Sequence, residues 1–263
     1  MLNDADKEEL RTIIDTSLDN AERHWRDGGY RLKAIREAAL NANDQSTSFE
    51  EQPSQIPGHE FVRENETVID EFVAFVADMR DSTEHLMCAI SQKHAEVSGL
   101  QRVYYETSAL LPALAYVVNK QQGSVTEYLG DGVLALFRVD PDNQIASIYA
   151  AHEAAKNAIG VARDLVNDVL KSRYRLPNID LGVGFAVSKA MVTLVGLSPE
   201  KQPKAFGECV FRATKLSGGR NVVICDDKIK VRWPTSKNGR VSFKLRSFNG
   251  TNGYIVGSSS PRL

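Results

Sequence analysis

EYLGDGVLALF, at residues 127–137, is the stretch of sequence that decides the fold. Its central turn, Gly130-Asp131-Gly132, separates two runs with apolar residues, and Asp-Gly between such runs is a strong signal for a β-hairpin. Glycine on both sides of Asp131 permits positive φ and leaves room for another group to approach the backbone. We therefore predict two short strands joined by a tight turn with an acid at its tip. Taken alone, the stretch is most simply an ordinary hairpin.

A second stretch, FVAFVADMRDST at residues 72–83, together with the first one predicts a metal site. It predicts an apolar strand that ends at Asp78, followed by a small polar turn and the start of a helix. Two acids that face one another at the ends of buried strands would form a site for a divalent metal ion. Oxygen ligands of this kind suit Mg²⁺ or Mn²⁺.

Composition limits the classes of protein that the chain can belong to. It has 263 residues, 42% hydrophobic and 25% charged, as in a soluble globular protein. The net charge of -2 gives no support for binding to nucleic acid or to a membrane. The polar N-terminus MLNDADKEEL is unlike a signal peptide, and the longest apolar run, 109–118, is too short to span a bilayer. The chain has three widely spaced cysteines, Cys88, Cys209 and Cys225. Such cysteines suit a reducing compartment, so we expect a cytoplasmic protein.

The order of the predicted elements divides the chain into three parts. Residues 1–41 have helical periodicity and form an N-terminal helical arm, which either packs on the rest of the protein or forms a dimer contact. Residues 42–60 are polar and contain two prolines, so we predict a linker. Residues 61–263 form the main domain, in which strands, helices and a hairpin alternate irregularly. This order predicts an α+β fold rather than a βαβ series.

Four stretches, in this order and spacing, resemble the class III nucleotidyl cyclases. The resemblance covers roughly residues 68–256 and implies an α+β fold with a ferredoxin-like or palm-like antiparallel sheet and packed helices. The stretches are FVADMRDST (75–83), EYLGDGVLALF (127–137), LGVGFAVSKAMVTLVG (181–196) and AFGECVFRATKLSGGRNVVICDD (205–227).

The resemblance implies an activity and a set of site residues. Members of the family convert a nucleoside triphosphate to its 3′,5′-cyclic monophosphate and pyrophosphate, with two divalent metal ions, Mn²⁺ or Mg²⁺. By this resemblance, Asp78 and Asp131 are the aspartates that bind the metal ions, and the backbone of Met79 makes another metal contact. The site forms between two subunits in the family, so a homodimer with two symmetric sites is implied. The phosphates would be held by the turn Arg80, Asp81, Ser82 and Thr83.

The sequence departs from the family at the residues that stabilise the transition state. The family's asparagine falls on Phe211 and its arginine on Lys215. Lysine carries the charge but cannot bind phosphate in a bidentate manner. Arg212 lies one helical turn from Lys215 and could share the task, unless both residues simply face solvent. A glycine common in the family falls on Ser188. These losses keep open a degenerate domain that binds a nucleotide or a partner without catalysis.

The positions that recognise the base carry Glu127 and Lys204. A carboxylate accepts a hydrogen bond from an N–H group, and an ammonium donates one to a carbonyl. Guanine and uracil each offer an N–H beside a carbonyl, whereas adenine has no carbonyl. The pair therefore argues against ATP and leaves GTP and UTP, unless one or both side chains point to solvent.

Bulky Phe211 could fill space that a purine needs, which favours UTP. With these departures, the chain resembles the pyrimidine cyclases of bacterial antiphage defence (Pycsar), whose cyclic UMP or cyclic CMP activates a separate effector protein. The alternative within the family is a guanylate or adenylate cyclase in ordinary signalling.

Overall fold

The computed structural model describes residues 2–28, 51–87, 97, 99–235, 239–248 and 250–258. The strands are β1 (Glu51–Ile56), β2 (His59–Arg63), β3 (Val68–Met79), β4 (Ser124–Tyr128), β5 (Gly132–Arg138), β6 (Leu181–Val195), β7 (Gln202–Gly207), β8 (Val222–Cys225), β9 (Val241–Phe248) and β10 (Thr251–Ser258). The helices are α1 (Asp4–Gly28), α2 (Ser82–Met87), α3 (Gly99–Asn119), α4 (Gln144–Asn157), α5 (Arg163–Tyr174), α6 (Glu208–Leu216) and α7 (Asp227–Arg232), with a π-helical segment, Ala158–Ala162, between α4 and α5.

A single large sheet, in the order β4-β5-β3-β6-β8-β10-β9 with β7 also on β6, organises the protein. Its neighbours are antiparallel except β6 and β8, which run parallel. The central strand β3 is buried from Phe72 to Ala77, which explains its continuous apolar run, because both faces of the sheet are covered. The predicted α+β fold is thus confirmed, and the hairpin β4–β5 forms as the Gly-Asp-Gly turn predicts.

Helices α1, α3, α4 and α5 cover one face of the sheet. Leu10, Ile14 and Leu18 of α1 are fully buried in the same cluster as Phe75 of β3. These side chains recur at helical spacing, so one face of α1 enters the core. The predicted N-terminal arm is therefore, over residues 4–28, a packed part of the domain, and its remaining residues 29–41 lie outside the described ones.

Helix α6 and the hairpin β1–β2 pack on the opposite face. Ile56 and Val62 of the hairpin are buried with Phe72 of β3. The predicted linker at residues 42–60 is wrong for residues 51–60, which form most of this hairpin. Pro53 lies in β1, and prolines are tolerated in edge strands. The two buried apolar residues, rather than a strand-like composition, hold the hairpin in place.

Two other elements differ from the predicted pattern. β6 is one strand of 15 residues where two strands, 179–187 and 191–196, are expected. The predicted long helix 143–173 is divided at Gly160, whose backbone has non-helical φ and ψ values of -103° and -105°. No described helix is long and apolar enough to cross a membrane.

Candidate active site

The two predicted metal aspartates lie together at one end of the sheet. Asp78, near the end of β3, is opposite Gly132, the first residue of β5, and the amide of Met79 donates a hydrogen bond to the carbonyl of Asp131 at 3.1 Å. A Cβ atom on Gly132 would overlap the carbonyl oxygen of Ala77 and lie 3.2 Å from Oδ1 of Asp78. The close approach of the two strands therefore requires glycine at position 132, and it brings the backbone of Asp131 next to the end of β3.

The donor atoms at this end of the sheet fit a hard divalent cation. Two carboxylates and the backbone carbonyl of Met79 are oxygen donors, and Mg²⁺ is commonly held by one or two carboxylates together with water and substrate phosphates. Across the described residues, no cluster of three or more His, Cys, Asp and Glu side chains is arranged to hold a metal ion. Asp78 and Asp131 therefore fit a cation whose remaining ligands come from substrate and water, rather than a closed protein cage.

The turn that was predicted to hold phosphates contains a positively charged and a negatively charged side chain, Arg80 and Asp81. The guanidinium of Arg80 forms an ion pair with the carboxylate of Asp78, and the amide of Arg80 donates to the carbonyl of Asp180 at 2.8 Å. Burial lowers the pKa of Arg80, against the attraction of the Asp131 and Asp81 carboxylates. Asp81 has a left-handed backbone with φ 60°.

Ser82 and Thr83 are the first two residues of α2, directly after this turn. The turn residues 80–83 thus lie beside the aspartates, as the resemblance implies.

Arg220 also reaches this turn, a contact that the sequence patterns do not predict. Its guanidinium donates to the carboxylates of Asp81 and Asp180, each at 2.5 Å. These hydrogen bonds raise the pKa of Arg220, and hydrogen bonds from Asn221 and then Arg220 lower the pKa of Asp180. Arg220 lies in one of the four stretches that resemble the family. It is 139 residues from Asp81 in sequence, so no local pattern could predict this contact.

The two predicted base-recognition residues meet in a pocket of about 210 Å³. The ammonium of Lys204 on β7 lies 3.0 Å from the carboxylate of Glu127 on β4, and each side chain is about 30% exposed. The two side chains pair with each other across this pocket and are only partly open to solvent, and their role in recognising a base stays a prediction. Phe211 lines the same pocket and is 65% exposed. The remaining lining residues are Leu129, Leu134, Ala205, Phe206, Val210 and Thr214.

Arg212 and Lys215 lie on α6, and the structure gives Arg212 several acidic partners. Its guanidinium contacts Glu208 at 3.2 Å, pairs with Asp227, and approaches the buried Asp226 at 3.9 Å. Burial raises the pKa of Asp226 to about 6. Lys215 is exposed on the same helix. Arg212 thus forms a cluster with α7, which argues against the predicted sharing of a task with Lys215.

Ser188, at the position of the family's glycine, has a structural contact. Its hydroxyl accepts a hydrogen bond from the amide of Cys209 at 2.8 Å, close to the start of α6. The hydroxyl satisfies one of the first amides of that helix, which have no partner within the helix itself. The departure at position 188 therefore supports the placement of α6 instead of disturbing it.

Comparisons with known proteins agree on the fold. No protein-family model matches the sequence, and no curated protein matches it. The guanylyl cyclase Cya2 is similar in structure, with a TM-score of 0.57, 16% identity, and coverage of 74% of this chain and 95% of that one.

Two further structures are similar over the same part of the chain. The adenylyl cyclase CyaB from P. aeruginosa matches with a TM-score of 0.57 and 16% identity, and the match covers 75% of this chain and 99% of that one. The guanylate cyclase domain of RhGC from Catenaria anguillulae, in complex with GTP, matches with a TM-score of 0.53, 12% identity, and coverage of 74% and 100%. The chain therefore has the fold of the class III adenylyl and guanylyl cyclase catalytic domains.

Proposed function

We propose that the chain is a nucleotidyl cyclase, which converts a nucleoside triphosphate to its 3′,5′-cyclic monophosphate and releases pyrophosphate. The observation that carries the proposal is the pair Asp78 and Asp131, held at adjoining strand ends by Gly132 in a cyclase fold. Two divalent cations bound there, Mg²⁺ or Mn²⁺, would supply Lewis acidity to the attacking 3′-hydroxyl and to the phosphates.

The protein's own side chains position the substrate and offset its charge. Arg80 lies beside Asp78 and contributes a positive charge next to the proposed phosphate turn. Lys215, an exposed cation on α6, is the proposed group for the charge that develops at the α-phosphate, by resemblance to the family, whose arginine falls at this position. An ammonium acts as a point charge, so this stabilisation does not depend on a fixed fork geometry.

The pocket with Glu127 and Lys204 supports a base that offers an N–H beside a carbonyl. The ammonium and the carboxylate are 3.0 Å apart, so a donor and an acceptor lie side by side for the edge of one ring. Uracil and guanine present an N–H beside a carbonyl oxygen, whereas adenine has only a ring nitrogen as the acceptor beside its N–H. The ring of Phe211 takes up part of the pocket and favours the smaller pyrimidine. UTP is therefore the proposed substrate, and GTP is the second candidate.

By resemblance to the family, the aspartates and the base pocket are proposed to belong to a site shared between two copies of the chain. The described residues that line the base pocket include neither Asp78 nor Asp131. In a homodimer, the aspartates of one protomer would meet the base pocket of its partner, which gives two equivalent sites. By resemblance to the pyrimidine cyclases of antiphage defence, the cyclic nucleotide is then a second messenger for a separate effector protein.

The first experiment identifies the product. Purified protein is incubated with ATP, GTP, CTP or UTP and Mn²⁺, and the products are identified by mass. We expect cyclic UMP. Cyclic CMP would keep the pyrimidine-cyclase proposal but contradict the proposed pattern of base recognition, and cyclic GMP or cyclic AMP would instead indicate an ordinary signalling cyclase. Asp131→Ala should abolish turnover, whereas Asp142→Ala, which removes an exposed acid elsewhere, should not. Turnover by Asp131→Ala would contradict the metal assignment.

A second variant tests recognition of the base. Glu127→Gln replaces the acceptor carboxylate with an amide of nearly equal size. A hydrogen bond to a charged group contributes about 1.5–3 kcal/mol, so kcat/KM for the preferred substrate should fall roughly 10- to 150-fold. An unchanged order of substrates would place base recognition elsewhere. No product from protein that is dimeric and binds metal would favour the degenerate binding domain.

A further inference from the structure

The loop that precedes β8 brings a guanidinium to the proposed phosphate turn. Arg220 Nη2 lies 2.5 Å from a carboxylate oxygen of Asp81, and Nη1 lies 2.5 Å from one of Asp180. Asp81 is three residues after the metal aspartate Asp78. The two nitrogens of one planar group therefore span the turn and the start of β6.

The backbone of this loop is held against the sheet, so the base of the Arg220 side chain has a defined position. The amide of Asn221 donates to the carbonyl of Leu181 at 2.5 Å, and the Asn221 side-chain amide donates to Asp180 at 2.6 Å. A Cβ atom on Gly182 would overlap the carbonyl oxygens of Ser217 and Gly219, so the loop lies directly on β6. The guanidinium end remains accessible, since the Arg220 side chain is 54% exposed.

Charge at the turn explains why a second arginine matters there. The turn and the adjoining strand ends carry the carboxylates of Asp78, Asp81 and Asp131, and each would repel the phosphates of a triphosphate bound beside it. Arg80 is mostly covered and already paired with Asp78. Arg220 is the second guanidinium at this turn, and its side chain is 54% exposed, whereas that of Arg80 is 18% exposed.

We propose that Arg220 is a substrate-binding residue that exchanges its carboxylate partners for the leaving β- and γ-phosphates when the triphosphate binds. This inference rests on the proposed function. The planar fork of arginine matches phosphate oxygens in a bidentate manner. Exposed ion pairs contribute little to stability, so release from Asp81 and Asp180 opposes the exchange only weakly. In the free protein these carboxylates hold the fork in place.

The test compares Arg220→Ala, Arg220→Lys and Arg220→Gln with the unaltered protein. Affinity for inorganic pyrophosphate with Mn²⁺ is measured by calorimetry, and KM is measured for the preferred triphosphate. We expect both to weaken roughly 10- to 150-fold in the alanine variant, with partial retention by lysine, which keeps the charge but not the fork. Arg63→Ala is the matched control, because Arg63 is an exposed arginine paired with Glu51 on the separate hairpin. Glutamine keeps a long polar side chain if alanine disturbs folding.

A double variant separates contact from simple neutralisation of Asp81. If Arg220 binds phosphate directly, Arg220→Ala with Asp81→Asn remains weak for pyrophosphate. Recovery of the original affinity in the double variant would overturn the proposal, as would an unaltered pyrophosphate affinity in both Arg220→Ala and Arg220→Gln. The proposed function is contradicted by a different result. If the protein binds pyrophosphate through Arg220 but makes no cyclic nucleotide, the Arg220 contact is supported and the cyclase activity is not.

Discussion

Gly132 offers a sharp test of the paired aspartates. In Gly132→Ala, the new Cβ atom would overlap the carbonyl oxygen of Ala77 and lie 3.0 Å from Cα of Asp78. The obstacle is backbone, so no side chain can rotate away, and β3 and β5 must separate at the site. Overpacking of this kind costs about 1–3 kcal/mol of stability. A displacement on the order of 1 Å at a reacting centre lowers the rate about 100-fold.

The assay must separate lost stability from lost geometry. Gly123→Ala is a matched control at the other end of the same hairpin, where the new Cβ atom would lie 2.5 Å from the ring of Phe137. Both variants should lower the free energy of unfolding, measured in urea, by similar amounts. Initial rates at saturating triphosphate and Mn²⁺ should fall about 100-fold for Gly132→Ala and little for Gly123→Ala. Equal rates at equal stability would refute the metal role of Asp78 and Asp131.

Two further predictions concern the core and a buried acid. Ile14→Ala removes a fully buried side chain of α1 and should lower the free energy of unfolding of the whole domain by about 2–5 kcal/mol, in a single transition in urea. Thr12→Ala, at an exposed position of the same helix, should change it little. An unchanged urea midpoint for Ile14→Ala would show that α1 can detach without unfolding the domain. Asp226 has a pKa raised by burial from 3.8 to about 6, so the folded state binds its proton more tightly and stability falls as pH rises through this range. Asp226→Asn keeps an amide oxygen for the cap of α7, so it should stabilise the protein by about 3 kcal/mol above pH 6 and little below pH 4; equal effects at pH 4 and pH 8 in urea titrations would contradict this.

Local sequence patterns were sufficient for the elements that carry the aspartates. An apolar run that ends at Asp78 and a Gly-Asp-Gly turn predict a strand and a hairpin from neighbouring residues alone, and both form. Resemblance added that their ends meet and that Glu127 belongs with Lys204. The structure places these charges 3.0 Å apart, although their functional roles remain predictions.

Patterns with weak local signals were misjudged for a physical reason. The segment 51–60 is polar and contains prolines, and its strands form only because Ile56 and Val62 find a hydrophobic surface on the sheet. Likewise, helical periodicity indicates that α1 has an apolar face but not what that face packs against. Both outcomes depend on contacts between residues far apart in the chain.

The sequence by itself determined the fold class, the order of the main strands and the acids at their ends, because hydrophobic periodicity and turn residues act locally. Only the tertiary structure decided the partners of the arginines. Arg212 lies beside Asp226, which caps α7, and beside Asp227, the first residue of α7, and Arg220 reaches Asp81, 139 residues earlier in the chain. A guanidinium can pair with any carboxylate within reach, so its partner depends on how the sheet brings distant loops together and not on its neighbours in sequence.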